Sequence, residues 1–343
     1  MEISGRKIGR GQPVFIVAEM SANHHQDFDE AVRIIRAAKE CGADAVKIQT
    51  YTADTLTIDS DREYFRIKGT LWEGETIYSL YKKAYTPWEW QPKLKKVADD
   101  AGIIFFSTPF DRSSVDFLEK LDMPAYKIAS FELVDIPLIE YAASKGKPVI
   151  MSTGMATLKE IEDAVKAAKS APGIALLKCT SAYPAPPEES NLQTIPDLAS
   201  KFGVVPGLSD HTRGIAVPVA AVALGACIIE KHFTLSRKTP SPDSAFSLEP
   251  EEFREMVSEV RVAEKSLGRV FYGTTPEEGK SRVFRRSLFA VRDIKAGETL
   301  TEENIRSIRP GHGLPPKFLK EIMGKKAKAD IKKGTPLTWD TIS

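Results

Sequence analysis

The stretch Phe28-Asp-Glu-Ala-Val-Arg-Ile-Ile-Arg-Ala-Ala-Lys-Glu-Cys-Gly-Ala-Asp-Ala-Val-Lys-Ile-Gln-Thr-Tyr51 decides the architecture. Phe28, Ala31, Val32, Ile35 and Ala38 recur at the helical period and share one face. Gly42 follows where a left-handed residue closes a helix. Ala45–Tyr51 then reads as a strand, apolar almost throughout, as expected when both faces of a sheet are covered. Val14–Glu19 upstream has the same character. Strand, helix and parallel strand within one short stretch make a βαβ unit, and the alternation continues downstream. Further strands are expected at Ile103–Pro109, Ala125–Ser130, Pro148–Gly154, Ile174–Tyr183, Val204–His211 and Cys227–Thr234, which makes eight. The last helix starts at Pro250 with Glu251 and Glu252 in its first turn and stops at Gly268. Eight such pairs in about 270 residues match a (β/α)8 TIM barrel, usually ~250 residues long. A doubly wound sheet is the alternative, but no GxGxxG follows the first strand.

Residues 1–268 are therefore expected to form the barrel, 269–285 a polar linker and 286–343 a small β-rich domain. In the tail, Ser287–Val291 and Ala327–Ala329 read as short strands. A domain of about 60 residues is marginal alone and is expected to dock on something. The insertion Ala53–Tyr85, after the second strand, is either a lid over the barrel mouth or a side-packing excursion. The net charge of +1, from 48 basic and 47 acidic residues, argues against a nucleic-acid partner. The longest apolar run, Ile215–Ile229, is broken by Pro218 and Gly225 and is too short to span a membrane. Three cysteines without a CxxC pair, and no basic-then-apolar leader, point to a reducing cytoplasm.

In a barrel of this kind the chemistry lies at the C-terminal strand ends. Those positions carry Glu19, Ser21 and Asn23-His24-His25; Lys47 and Gln49; Ser107-Thr108; Lys127, Ser130 and Glu132; Ser152; Ser181 and Tyr183; Ser209 and His211; and Glu230-Lys231-His232. Any one hydroxyl is a common strand terminator. Lys47 and Lys127 are different, because a lysine inside an apolar barrel strand is costly unless it meets an anion. Lysines with neutral hydroxyl donors suit a phosphorylated or carboxylated substrate. His211 and His232, on neighbouring strands, can share a divalent metal with water and substrate in the open positions; two hydrogen-bonding histidines are the plainer alternative. Asp243, in the loop after the last strand, is either a substrate contact or a turn aspartate. Arg309, in Arg309-Pro-Gly-His-Gly313, is an exposed cation on a rigid loop.

These residues together resemble the sialic acid synthase family. The resemblance runs through Glu19 with Asn23-His24, Lys47-Ile-Gln-Thr50, Ser107-Thr-Pro-Phe110, Tyr126-Lys-Ile-Ala-Ser130, Ser152-Thr-Gly-Met155, Cys179-Thr-Ser-Ala-Tyr-Pro184, Gly207-Leu-Ser-Asp-His-Thr212 and Glu230-Lys-His-Phe-Thr234. The tail is similar to the family's antifreeze-like SAF domain. Pro242–Pro250 and Tyr85–Trp90 resemble the pseudaminic acid synthase branch, although Ser181 stands where other branches tend to have Asn.

The resemblance implies condensation of phosphoenolpyruvate with an open-chain amino sugar, with carbon–oxygen cleavage releasing phosphate. It implies a divalent metal, Mn2+ first with Mg2+ or Co2+ as alternatives, on His211 and His232. It assigns Lys47, Thr108, Lys127, Ser130, Ser152, Ser181 and Ser209 to phosphate and carboxylate, and the handling of protons or of the attacking water to Glu19. Gln49, Tyr183 and Asp243 are assigned to the sugar, and Asn23 and Glu132 also count as substrate contacts. For the branch acceptor, 2,4-diacetamido-2,4,6-trideoxy-L-altrose, Phe246 and Ala245 are expected to line an apolar pocket. The resemblance further implies a homodimer in which the SAF domain of one chain brings Arg309 to the other's barrel. Competing expectations are a synthase acting on N-acetylmannosamine or the legionaminic precursor, a Schiff-base aldolase through Lys127, and a non-enzymatic binder of ice or polysaccharide.

Overall fold

The computed structural model describes residues Met1–Ser343. The chain divides into two compact units, Met1–Gly268 and Arg269–Ser343. A short hairpin, Glu2–Ile3 with Arg6–Lys7, opens the first unit. Eight parallel strands follow: β1 (Phe15–Glu19), β2 (Ala45–Thr50), β3 (Ile104–Pro109), β4 (Tyr126–Ile128), β5 (Val149–Ser152), β6 (Ile174–Cys179), β7 (Val205–Asp210) and β8 (Ile228–His232). They close into a barrel, with β8 pairing β1, which excludes the open doubly wound sheet.

Alternation along these strands produces two cores. Phe15, Val17, Ala45, Phe106, Ala125, Ile150, Leu177 and Ile228 fill the barrel interior. Ile16, Val46, Phe105, Tyr126 and Ile229 face outward and pack on the helices. Period two thus sends alternate residues inward, so the inward series runs from Ala45 to Lys47 and Gln49, and from Ile228 to Glu230 and His232. The apolar layer closes the bottom of the barrel, and the polar layer is left at the top.

Helices α1 (Phe28–Glu40) and α2 (Pro250–Leu267) show how the outer layer is built. Asp27 caps α1 by accepting from the Asp29 and Glu30 amides, and Ala31, Ile34, Ile35 and Ala38 are buried. Glu249 and Glu252 form a capping box at α2, and Gly268, at φ 49°, ends it.

All eight strands are shorter than expected, β6 by the most. β4 stops at Ile128 and β6 at Cys179, because the chain leaves the barrel there to form the rim. At the end of β6, the Thr180 carbonyl accepts from His211 rather than extending the ladder. In the second unit, β9 (Ser287–Ala290) pairs antiparallel with β10 (Ile305–Ile308). Ala327–Ala329 forms no strand; Ala327 makes only an isolated bridge to Ile342. The 269–285 stretch is more structured than a plain linker, with a helix over Pro276–Ser281 capped by Thr275. The second unit has its own core, including Leu288, Leu300, Ile305, Ile322, Ile331 and Leu337. No helix is long and apolar enough to cross a membrane.

Candidate active site

A cavity of about 430 Å3 opens at the C-terminal end of the barrel, and every strand contributes to its lining. Its floor is a four-member charge cluster. Lys47 Nζ lies 2.6 Å from Glu19 Oε2, off the hydrogen-bonding direction, and donates to Thr108 Oγ1 at 3.1 Å. Lys127 Nζ donates to Ser152 Oγ at 2.6 Å and lies 3.6 Å from Glu230 Oε1. Glu230 also accepts from Ser209 Oγ at 2.9 Å and sits 3.9 Å from Lys47.

Two lysines against two carboxylates leave the floor formally neutral, and that is how four buried charges coexist. The members are not equivalent. Burial works against both ionised carboxylates. For Glu19 it prevails over Lys47 and raises its pKa. For Glu230 the two lysines overcome it and lower its pKa. Burial pushes Lys127 down despite Glu230. It also opposes charge on Lys47, but Glu19 and Glu230 hold that ammonium above its usual range. Of the two floor carboxyls Glu19 is therefore the one more disposed to carry a proton, and of the two lysines Lys47 is the more persistent cation.

The rim is built from loops tied to one another. Gln49 Nε2 donates to Glu19 Oε1 at 3.1 Å and to Ser21 Oγ at 2.9 Å, while Ser21 Oγ donates to Asp243. Ser21 sits at φ 45°, a left-handed conformation that a non-glycine residue keeps only when its surroundings hold it. Burial raises the pKa of Asp243, against the Ser21 hydrogen bond. Glu132 lines the cavity with Oε2 buried and without a partner, and burial pushes its carboxyl up to about 7. Ser130 accepts from Ser181 Oγ at 2.8 Å. Gly154 permits that approach, because a Cβ there would lie 2.5 Å from Ser130 Cβ and 2.9 Å from Ser181 Oγ.

His211 and His232 face the same cavity with ring centroids 5.2 Å apart. His211 Nδ1 donates to the Thr180 carbonyl at 2.9 Å, leaving Nε2 free for a ligand. His232 Nδ1 is buried without a partner. Burial, and then the charges of His211 and Lys47, hold His232 well below its usual range, so it is the neutral imidazole a metal requires. Three ligating side chains converge nowhere in the chain. The donor set nevertheless fits a divalent ion with two imidazole ligands and open positions for water and substrate.

Several expected contacts lie elsewhere. Phe246 does not line the cavity; it packs behind the imidazoles, 4.9 Å from His232 and 6.1 Å from His211. Ala245 is exposed and also absent from the lining. Asn23 is fully buried, donating to the Phe233 carbonyl and Ser247 Oγ, each at 2.9 Å, and accepting from Ser241. It joins the loops after β1 and β8 instead of meeting the cavity. Ser181 is set behind Ser130 and is not part of the lining. Arg309 belongs to the second unit and is exposed there. His24 is buried against Trp90 and pushed down to about 4 by burial, while His25 meets the Thr239 carbonyl. Neither histidine lines the cavity.

Glu230 and Ser21 lie at the expected strand ends and join the site, although the resemblance assigns a role to neither. Glu230 was accessible from alternation, since it is two residues before His232 and must share its face. The role of Ser21 depends on an unusual backbone conformation that no local pattern announces. The 53–85 insertion covers the mouth, with Leu56, Ile67, Trp72, Ile77 and Tyr81 among the lining.

A closed parallel barrel with buried lysines, carboxylates and paired imidazoles under one mouth defines the class: a TIM-barrel enzyme for an anionic substrate. The chain belongs to the NeuB family, whose model matches residues 34–272, and it carries a SAF domain over residues 285–343. It is 49% identical to the pseudaminic acid synthase of Campylobacter jejuni, over 94% of this chain and 95% of that protein. It is 47% identical to the pseudaminic acid synthase of Helicobacter pylori, over 96% and 98%. Among solved structures, the N-acetylneuraminic acid synthetase of Leptospira borgpetersenii, in complex with citrate, superposes with a TM-score of 0.72 at 36% identity, over 82% of this chain and 94% of that one.

Proposed function

We propose that this chain condenses phosphoenolpyruvate with 2,4-diacetamido-2,4,6-trideoxy-L-altrose, giving pseudaminic acid and phosphate. The observation that carries the reading is the floor: two buried lysines with Thr108, Ser130, Ser152 and Ser209 around them, beside two imidazoles. The likeness to pseudaminic acid synthases over nearly the full chain supports the choice of acceptor.

Lys47 and Lys127 bind the phosphate and carboxylate of phosphoenolpyruvate, and the four hydroxyls add neutral donors. Carbon 3 attacks the aldehyde carbon of the sugar, forming the new carbon–carbon bond and leaving an oxocarbenium at carbon 2. Water adds at carbon 2, and the tetrahedral intermediate expels phosphate by carbon–oxygen cleavage. Of the two protons of that water, one ends on the former aldehyde oxygen and one on the released phosphate. Glu19, with its raised pKa and its contact to Lys47, is positioned to hold one in transit. Gln49, Tyr183, Asp243 and Glu132 orient the sugar from the rim. His211 and His232 would hold the divalent ion, Mn2+ first with Mg2+ or Co2+ as alternatives, which when bound supplies Lewis acidity to the aldehyde oxygen.

A homodimer in which one copy's SAF domain carries Arg309 to the other copy's mouth belongs to the same proposal and rests on the family resemblance. A soluble, cytoplasmic enzyme acting on small molecules completes it, with neither nucleic acid nor membrane as partner.

The test is a product assay with phosphoenolpyruvate, Mn2+ and a panel of amino sugars. Pseudaminic acid with stoichiometric, chelator-sensitive phosphate release is expected. Preference for N-acetylmannosamine or the legionaminic precursor overturns the acceptor, and borohydride trapping of pyruvate on Lys127 overturns the mechanism in favour of an aldolase.

A further inference from the structure

The cavity changes character from floor to mouth. Its floor is charged, but the 53–85 insertion adds Leu56, Ile67, Trp72, Ile77, Leu80 and Ala84 above it. Their backbone is well supported. Leu56 ends the helix Ala53–Leu56, and Ile77 begins the helix Ile77–Ala84, which is capped by Thr76. Between them, the Ile67 amide donates to the Glu75 carbonyl at 2.9 Å, and Arg66 bridges Thr76. Trp72 fastens this segment to the barrel. Its Nε1 donates to the Pro242 carbonyl at 3.0 Å, and its ring lies 5.8 Å from Tyr183, which in turn lies 4.4 Å from His211. With its one N–H committed, Trp72 offers the cavity only an aromatic face. The hydroxyls that the insertion adds to the lining are those of Thr70 and Tyr81.

We infer that this apolar roof is the acceptor-specificity element, receiving the carbon 6 end of the sugar and selecting a methyl over a hydroxymethyl group. The inference rests on the proposed function and goes further by assigning the selection to particular residues. The aldehyde carbon must meet phosphoenolpyruvate on the floor, beside Lys47, Lys127 and the imidazoles. In an open-chain hexose, carbon 6 is the chain terminus opposite the aldehyde, so it projects toward the mouth. There it meets Ile67, Ile77 and the Trp72 ring. A carbon 6 hydroxyl would leave water and find no committed partner among these groups. Apolar sites reject an added hydroxyl only moderately, so the expected preference is about 10- to 100-fold. Phe246 cannot make this selection, because it lies behind the imidazoles and outside the lining.

The experiment uses the full chain with Mn2+, phosphoenolpyruvate and two acceptors differing only at carbon 6: 2,4-diacetamido-2,4,6-trideoxy-L-altrose and 2,4-diacetamido-2,4-dideoxy-L-altrose. Wild type is expected to favour the first by about 10- to 100-fold in kcat/KM. Ile67→Ser and Ile77→Ser are each expected to narrow that ratio severalfold, mainly through poorer use of the deoxy acceptor. Calorimetric binding of the two corresponding alditols, which lack the aldehyde and cannot react, should report the same ratios even in a variant with impaired turnover. Equal use of both acceptors by wild type, or an unchanged ratio in both serine variants, overturns the roof assignment while leaving the proposed reaction standing. Turnover of N-acetylmannosamine with neither altrose acceptor defeats the proposed function and this inference with it.

Discussion

Asp210 and Lys231 are ladder partners on β7 and β8, and their side chains form an ion pair on the outer face of the barrel, 2% and 0% exposed. Each immediately precedes one of the paired imidazoles, so alternation sends the ion pair outward and the histidines inward. Lys231 Nζ also donates to the Thr212 carbonyl, and Asp210 accepts from the Thr212 amide at 3.0 Å. The pair thus locks both strand ends and the loop between them, and with them the separation of His211 and His232. Replacing both partners, in Asp210→Asn/Lys231→Met, should preserve the fold by circular dichroism but weaken Mn2+ binding by about 10- to 100-fold, read by electron paramagnetic resonance titration. Lys231→Met alone strands a buried carboxylate and should cost about 3–5 kcal/mol in denaturant unfolding. Unchanged Mn2+ affinity in a folded double variant would show that the pair contributes stability alone.

The two floor lysines should separate kinetically from the imidazoles. Lys47→Met and Lys127→Met remove cations proposed to meet phosphate and carboxylate, so phosphoenolpyruvate affinity should fall together with kcat/KM, by more than about 100-fold. His211→Ala should abolish turnover with phosphoenolpyruvate affinity less affected. Equal loss of binding in all three variants would contradict this division of labour.

Glu132 predicts a pH signature in stability. Its carboxyl is held up at about 7 by burial, against an ordinary value of 4.5. The folded state therefore binds more protons than the unfolded state between these limits. Its contribution is fully present below about pH 4.5 and is lost as pH rises through 7, a difference on the order of 3 kcal/mol. Glu132→Gln should flatten that part of the curve, measured by urea unfolding from pH 4.5 to 8. A wild-type curve parallel to that of the variant would remove the basis for a high-pKa carboxyl at the rim.

Subunit exchange can be read by complementation. His211→Ala spoils a barrel but leaves its Arg309 intact, whereas Arg309→Ala does the reverse. If the SAF domain serves the neighbouring chain, mixing the two inactive variants after exchange should restore activity, up to about a quarter of the wild-type level for random pairing of one intact site in each mixed dimer. No recovery, with mixed dimers verified by mass spectrometry, would exclude the swapped arrangement.

Much of this molecule was legible along the chain, for reasons that differ between residues. Ala45–Thr50 and its seven counterparts announce a parallel barrel, because strands covered on both faces must be apolar and the intervening helices keep one apolar stripe. Lys47 and Lys127 stood out because burial of an ammonium needs a compensating charge, and His211 and His232 because adjacent strands bring their ends together. These are consequences of local periodicity and of one topological rule. Which partners they meet was a tertiary decision. Glu230 between the two lysines, Phe246 behind the imidazoles, Asn23 as a tie between loops, and the insertion as an apolar roof all join segments far apart in the chain. A period assigns a side chain to the inside or outside of a barrel, but the loop closures determine its neighbours. The charges, hydrogen bonds and apolar contacts of this site exist only between those neighbours.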